Sequence, residues 1–180
     1  MEQRQIPRLD RAVSCVGFGA WQLGADWGDV PEADAIAALE TALAAGVTFV
    51  DTADVYGDGR SERLIGKVLA AHGAARPFVA TKMGRRVPQE HAEYTPARFR
   101  EWTDRSRENL GVDRLDLVQL HCPPTAVIED DALFTALDEL VEEGRIAAYG
   151  VSVETCGQAL AAIARPGVAT VQIVLNAFRL

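Results

Sequence analysis

Residues 49–57 read FVDTADVYG, and this stretch decides the class of fold that we predict. It begins as an apolar, β-type run, stops at Asp51, and continues to Tyr56 with a glycine directly behind it. A carboxylate that ends a buried strand lies at the rim of a sheet, where the catalytic groups of α/β proteins are found. The stretch therefore predicts a strand that delivers polar groups to one edge of a sheet.

Similar β-type runs recur along the chain and alternate with segments of helical periodicity. The predicted strands cover residues 13–18, 48–51, 78–82, 115–121, 146–152 and 170–175. The predicted helices between them begin near Asp29, Ser61, Thr95, Leu133 and Cys156. Repeated β-α units of about thirty residues are typical of parallel strands joined by helical crossovers.

Two architectures have this order of elements, an open doubly wound sheet and a (β/α)8 barrel. The open dinucleotide-binding sheet carries G-x-G-x-x-G after its first strand. Residues 17–24 read GFGAWQLG, which lacks the third glycine at that place and is followed by no immediate helix. We therefore predict an α/β fold of the (β/α)8 TIM-barrel type. About six of its eight units are recognisable, so residues 1–180 are expected to form one barrel domain that is truncated before the last two units.

Composition and charge narrow the range of partners and the location. A formal net charge of −8 argues against nucleic acid and against an anionic membrane surface. The first thirty residues lack the pattern of a signal peptide, and the chain has no apolar run of membrane length. The widely spaced Cys15, Cys122 and Cys156 favour reduced thiols and a cytoplasmic location. The three histidines show no ligand spacing, so no metal site is predicted.

Two local features receive a structural interpretation. Cys15 lies in the first predicted strand and is interpreted as a small core residue. The pair Arg85–Arg86 lies in a loop-like stretch and is interpreted as solvated, with local steering of a small anion as the alternative.

Polar residues follow three successive predicted strands. Asp51 and Tyr56 come after the second strand, Lys82 after the third and His121 after the fourth. Parallel strands deliver these ends to one face, so the side chains are expected to converge. An ammonium group lowers the pKa of a nearby phenol, a carboxylate holds the ammonium in place, and a histidine can orient a carbonyl. The set predicts a device that protonates a carbonyl oxygen while another group delivers hydride to its carbon.

Four motifs in this order and spacing resemble the aldo-keto reductase family. They are FVDTADVYG at 49–57, VATKMG at 79–84, DLVQLHCPP at 116–124 and AAYGVSVE at 147–154. The resemblance extends from VGFGAWQLG at 16–24 to VQIVLNAFRL at 171–180. It implies the NADPH-dependent reduction of small aldehydes or ketones on a (β/α)8 barrel.

The resemblance also implies a role for each residue of the convergent set. Tyr56 would be the general acid, and Lys82 would lower the pKa of Tyr56. Asp51 would pair with Lys82, and His121 would orient the substrate carbonyl.

The cofactor implied by the resemblance is NADPH or NADP. The residues at its cofactor-binding positions are Gly19, Ala20, Asp51, Ser152 and Gln172. Trp21 matches the first loop, which lines the substrate pocket, whereas Trp27 fits packing and pocket lining equally well. Val153 stands where the family often has asparagine. The family's pyrophosphate loop and adenosine-binding residues come from units beyond residue 180.

Two alternatives of a different class stay open on these residues. One is a catalytically incompetent barrel fragment that self-associates through the unpaired edges of its first and sixth strands. The other is a nucleotide-sensing or interaction subunit on the same fold. Taken singly, Asp51 fits a turn, Lys82 a surface lysine and His121 a core histidine. Their expected convergence is what favours the reductase.

Overall fold

The computed structural model describes residues 1–25 and 28–178, and Trp27 therefore lies outside the described residues. The frame of the molecule is a parallel six-stranded sheet whose strands neighbour one another in chain order. The strands are β3 (Phe18–Gly19), β4 (Phe49–Asp51), β5 (Phe78–Met83), β6 (Leu117–His121), β7 (Tyr149–Val153) and β8 (Val168–Ile173). They are preceded by an antiparallel hairpin of β1 (Gln3–Ile6) and β2 (Arg11–Ser14).

Six helices accompany the sheet in the described part of the chain. They are α1 (Glu32–Ala44), α2 (Arg60–His72), α3 (Pro96–Leu110), α4 (Thr125–Glu129), α5 (Asp131–Glu142) and α6 (Cys156–Ile163). Their alternation with consecutive parallel strands confirms the predicted incomplete (β/α) barrel. None of the helices among the described residues combines the length and the apolar character needed to cross a bilayer.

The sequence signals at the ends of α3 act as predicted. The side chain of Thr95 accepts a hydrogen bond from the Arg98 amide at 3.3 Å, which satisfies one of the free donors of the first turn. Pro96 occupies the first helical position, where its missing N–H has no cost. Gly111 ends the helix with a φ of 66°, in the left-handed region that glycine tolerates. Local chemistry therefore determines where this helix begins and ends.

The core has two parts, one on each face of the sheet. The larger part holds fully buried helix side chains such as Ile65, Phe99 and Leu137. The smaller part lies inside the partial barrel, where Phe78 and Leu117 at the beginnings of their strands contact Val13 of the hairpin. The hairpin therefore packs at the end of the barrel opposite to the carboxyl ends of the strands, and those ends are left for other groups.

The predicted first barrel strand over residues 13–18 is wrong. Residues 11–14 belong to the hairpin, and the barrel strand consists of Phe18–Gly19 alone. The Ser14 amide donates to Thr48 Oγ1 at 2.8 Å, and the Thr48 amide donates to Ser14 Oγ at 2.9 Å. Because of these two bonds, the chain leaves the hairpin after Ser14. Cys15 consequently lies exposed between the two sheets, and its interpretation as a core residue is also wrong.

Within residues 1–25 and 28–178, no strand pairs with the outer side of β3 or of β8, so both are edges of the sheet. Exposed apolar side chains stand at the end of β8 and just after it, with Ile173 39% and Leu175 74% exposed. Because an apolar strand with free backbone groups pairs readily with another chain, we expect the 180-residue chain to self-associate as its concentration rises. Ile173→Lys should shift the mass measured by light scattering toward the monomer.

Val141→Lys is the matched control, because it adds the same charge at an exposed apolar position on α5 (Asp131–Glu142), which belongs to neither edge strand. A monomer at every concentration of the unmodified chain would contradict association through the edges.

Candidate active site

The register of the strands brings the predicted polar residues to one rim of the sheet. His121 pairs with Ser152 across β6 and β7, and Ser152 pairs with Gln172 across β7 and β8. Asp51, the last residue of β4, pairs with Gly19 of β3. Gly19 and Asp51 thus share one register, His121, Ser152 and Gln172 share another, and all five residues lie at or near the carboxyl ends of their strands.

Lys82 is the most deeply buried charged member of this rim, with 2% of its surface exposed. Its Nζ donates to both carboxylate oxygens of Asp51, at 2.7 and 2.8 Å, and to the carbonyl oxygen of Thr52 at 2.9 Å. The three acceptors match the three protons of the ammonium group. Burial lowers the pKa of Lys82, and the charge of Asp51 opposes that shift.

Tyr56 lies between the other predicted residues. The Nζ atom of Lys82 is 5.4 Å from the centroid of the Tyr56 ring. The His121 ring meets Tyr56 at 5.8 Å with an interplanar angle of 84°, and the Trp21 ring lies 6.2 Å away. The structure thus brings together the whole predicted set and adds Trp21 to it.

The predicted lowering of the Tyr56 pKa does not occur in this structure. Burial and, to a smaller extent, the charge of Asp51 raise the pKa of Tyr56 to about 12. The physical reason is that burial disfavours the charged phenolate, while Asp51 at contact distance from Lys82 offsets the positive charge of the ammonium. The hydroxyl of Tyr56 is therefore protonated throughout the neutral pH range.

His121 is neutral in this environment. Burial lowers its pKa to about 3, and the charges of Lys82 and Arg85 act in the same direction. Its Nδ1 atom is buried and has no hydrogen-bond partner within the described residues. A neutral imidazole carries one donor and one acceptor, so His121 can present an N–H to a carbonyl oxygen without holding a charge.

The residues predicted to bind the cofactor lie in two different settings. Gly19 and Gln172 line an open cavity of about 730 Å³ that also reaches Asp51. Ala20 is fully buried, its amide donates to the Asp51 carbonyl at 2.8 Å, and its carbonyl accepts from Ser61 Oγ at 2.8 Å. Ala20 thus anchors the first loop and leaves no backbone group free for a ligand.

The side chains of β7 and β8 offer polar groups to the same rim. Ser152 is 8% exposed, and its Oγ is 3.7 Å from the sulfur of Cys122. Gln172 accepts a hydrogen bond from Gln119 Nε2 at 3.0 Å, which holds its amide inside the barrel. Trp21 is 42% exposed, and its assignment to the substrate pocket stays a prediction.

Residues 15–180 match the family model described as the Aldo/keto reductase family. The chain belongs to the aldo-keto reductase family. An L-galactose dehydrogenase of Arabidopsis thaliana is 38% identical over 145 residues, which cover 79% of this chain and 42% of that enzyme. The chain spans about half the length of the curated relatives that it matches.

Solved structures of aldo-keto reductases have the same fold. The holo form of an enzyme from Bacillus halodurans superposes with a TM-score of 0.81 at 30% identity, covering 97% of this chain and 58% of that one. An aldo/keto reductase of Klebsiella pneumoniae in complex with NADP and acetate gives a TM-score of 0.76 at 25% identity, covering 92% and 56%.

The structure also reveals a buried acid that the sequence analysis did not single out. Asp54 is 1% exposed, and within the described residues neither of its carboxylate oxygens has a hydrogen-bond partner. Burial raises its pKa to about 7, and the charge of Glu62 adds to the rise. The available signal was its position between the apolar residues Ala53 and Val55 directly after a strand, where an acid is costly to bury.

Glu62 lies in the first turn of α2. It is fully buried, and it accepts hydrogen bonds from Thr81 Oγ1 at 2.6 Å and from Asn109 Nδ2 at 2.9 Å. Glu62 thus joins α2, β5 and α3 beneath the rim. Across residues 1–25 and 28–178, no three His, Cys, Asp or Glu side chains gather as a metal site would require.

Asp54 should make stability fall as pH rises from about 4 to about 7. In that window the unfolded chain has lost the proton, whereas the folded chain keeps it. The free energy of unfolding should then drop by about 1.4 kcal/mol per pH unit from this group. Because His121, whose pKa is lowered to about 3, contributes a rise over much of the same range, the effect of Asp54 is measured as a difference. The free energy of unfolding of Asp54→Asn relative to the unmodified chain should increase from pH 4 to pH 7 and then level off, as measured by urea unfolding.

Asp29→Asn provides the control, because it removes the same charge from an exposed position. A stability difference between Asp54→Asn and the unmodified chain that stays constant with pH would exclude Asp54 as the titrating group.

Proposed function

We propose that the protein is an NADPH-dependent oxidoreductase that reduces the carbonyl group of an aldehyde or ketone to an alcohol. The observation that carries this proposal is the buried Lys82–Asp51 pair beside Tyr56, with neutral His121 at the edge of the Tyr56 ring. Relatives named as reductases or dehydrogenases support an oxidoreductase over the two non-catalytic alternatives. The free cysteines support a cytoplasmic location as part of the same proposal.

Tyr56 is the proton donor in this proposal. A pKa of about 12 keeps its hydroxyl protonated at neutral pH. The alkoxide that develops from a carbonyl is a far stronger base than a phenolate, so the proton still moves in the required direction. The carbonyl carbon gains hydride, its oxygen gains the Tyr56 proton, and the phenolate that remains recovers a proton from solvent.

Lys82 and His121 act on the two partners of this proton transfer. The Lys82 ammonium, 5.4 Å from the Tyr56 ring centroid, attracts the negative charge of the phenolate as it forms and works against the opposing charge of Asp51. His121 donates an N–H to the carbonyl oxygen and thereby orients it toward the Tyr56 hydroxyl. Because the low pKa of His121 keeps it neutral, it does not compete as the acid.

Ser152, Gln172 and Gly19 fit the nicotinamide end of the cofactor. NADPH supplies the hydride when it is bound. Ser152 and Gln172 are neighbours in register and present a hydroxyl and an amide, the groups that a carboxamide pairs with. Gly19 leaves open space, since a Cβ built on it would meet nothing within 4 Å. The relative from Klebsiella pneumoniae solved with NADP supports the choice of cofactor.

Tyr56→Phe should reduce the NADPH-dependent turnover of 4-nitrobenzaldehyde by about 100-fold or more, because a positioned general acid contributes at least that much. NADPH binding should be retained, since the ring remains. The control is Tyr94→Phe, a tyrosine whose pKa burial also raises to about 12 and which should keep its turnover. Unchanged turnover in Tyr56→Phe would remove Tyr56 from the reaction.

Gln172→Leu should weaken NADPH binding about tenfold, because it removes the amide that pairs with the carboxamide. The measurement is a titration of NADPH fluorescence with the 180-residue chain. Gln5→Leu, an exposed glutamine on the hairpin, should bind as the unmodified chain does. Equal affinity of all three proteins would exclude Gln172 from the cofactor site, and no saturable binding by any of them would contradict the proposed cofactor.

A further inference from the structure

Three polar side chains form a hydrogen-bonded chain inside the partial barrel. Thr170 Oγ1 donates to Gln119 Oε1 at 3.4 Å, and Gln119 Nε2 donates to Gln172 Oε1 at 3.0 Å. All three residues line one cavity of about 440 Å³. Gln119 is 3% exposed, and a buried amide group that loses its partners is costly. These two bonds therefore hold the Gln119 amide in one orientation.

Gly150 lets this chain of bonds connect two strands that are not neighbours. Gln119 lies on β6, whereas Thr170 and Gln172 lie on β8, and β7 runs between them. In the register of the sheet, Gly150 of β7 pairs with Gln119 on one side and with Thr170 on the other. A Cβ built on Gly150 would lie 2.3 Å from Thr170 Oγ1, so any larger residue would disturb the contact. The missing side chain at Gly150 thus opens the path from β6 to β8.

The bond from Gln119 determines which end of the Gln172 amide is left for a ligand. A glutamine side chain has a carbonyl oxygen that accepts and an NH₂ group that donates. The Gln172 oxygen is engaged by Gln119, whereas the Gln172 Nε2 atom makes no hydrogen bond within residues 1–25 and 28–178. Gln172 also lines the open cavity of about 730 Å³ that reaches Asp51. The donor end of Gln172 is therefore the end that a ligand in that cavity would meet.

We propose that Gln119 is a positioning residue, which holds the Gln172 amide so that the Gln172 NH₂ group pairs with the carbonyl oxygen of the nicotinamide carboxamide. The inference rests on the proposed function and its cofactor. A glutamine that is free to turn pairs with either end of another amide. A glutamine held by Gln119 pairs only with an acceptor, so Gln172 recognises the carbonyl oxygen of the carboxamide and not its NH₂ group.

The test compares NADP with its 3-acetylpyridine analogue, which keeps the carbonyl oxygen but has a methyl group in place of the amide NH₂. Dissociation constants are measured by isothermal titration calorimetry, so the result does not depend on turnover. Gln119→Met removes the donor to Gln172 and keeps the length of the side chain. The variant should bind the analogue about tenfold more weakly, because the released Gln172 amide can turn its oxygen toward the acetyl group. NADP should lose no more than about threefold, since its carboxamide complements either orientation.

Two further proteins separate positioning from a general loss of structure. Gln172→Leu should weaken both nucleotides by the same factor, because the lost bond goes to a carbonyl oxygen that both possess. Adding Gln119→Met to Gln172→Leu should change neither affinity further, because Gln119 acts through Gln172. Gln5→Met is the matched control, since it makes the same substitution at an exposed glutamine of the hairpin and should leave both affinities unchanged.

A change of equal size in both affinities in Gln119→Met, or no change in either, would overturn the proposal. If Gln119→Met does not fold, Gln172→Leu decides, and a loss confined to NADP would show that Gln172 pairs with the carboxamide NH₂ and would overturn the orientation. A chain that binds both nucleotides and reduces no aldehyde contradicts the proposed reduction, while the ratio of the two affinities still decides the role of Gln119. The absence of saturable binding of either nucleotide contradicts the proposed cofactor and overturns this inference with it.

Discussion

The contact between the Lys82 ammonium and the Asp51 carboxylate is the interaction on which the rim of the barrel depends. A charge that is 2% exposed needs a partner, and removing one member of such a pair typically costs about 3 to 5 kcal/mol. Asp51 ends β4 and Lys82 lies in β5, so the pair ties adjacent strands together at their carboxyl ends. The Thr52 carbonyl oxygen accepts the third hydrogen bond of the Lys82 ammonium, which fixes the chain where it enters the loop that carries Tyr56. Stability and the geometry of the proposed reaction therefore come from one contact.

A second network holds the first loop against the rim. Ser61 at the beginning of α2 bonds the Ala20 carbonyl and lies 2.9 Å from Thr52 Oγ1. Arg60 donates to the carbonyl of Leu23 and, at 2.6 Å, to that of Val30. Because these bonds join the loop to the residues directly after β4, the position of Trp21 is coupled to that of Tyr56. The first residues of α2, and not the loop alone, therefore hold the Trp21 and Tyr56 rings of the proposed pocket in place.

The sequence predicted the features that local chemistry determines and missed those that tertiary contacts determine. The β-α order and the residues at the strand ends follow from periodicity and from where apolar runs stop, and both were recognised. The first strand was misplaced because the bonds between Ser14 and Thr48 join segments that are far apart in the chain. The pKa of Tyr56 was predicted in the wrong direction because pairwise reasoning counted Lys82 and undervalued burial. Asp54 escaped notice because its lack of partners is visible only once its surroundings are known.

The negative charge of Asp51 offsets the positive charge of Lys82, and this balance affects the proposed proton transfer. Before proton transfer the phenol is neutral and gains little from the balanced pair, so the pair does not stabilise the ground state. Once negative charge appears on Tyr56, the Lys82 ammonium, whose Nζ lies 5.4 Å from the ring centroid, attracts that charge, whereas Asp51 opposes it. An interaction that strengthens only as charge develops lowers the barrier rather than tightening substrate binding. Under the proposed function, the neutral resting state of the rim is therefore part of how it would promote proton transfer.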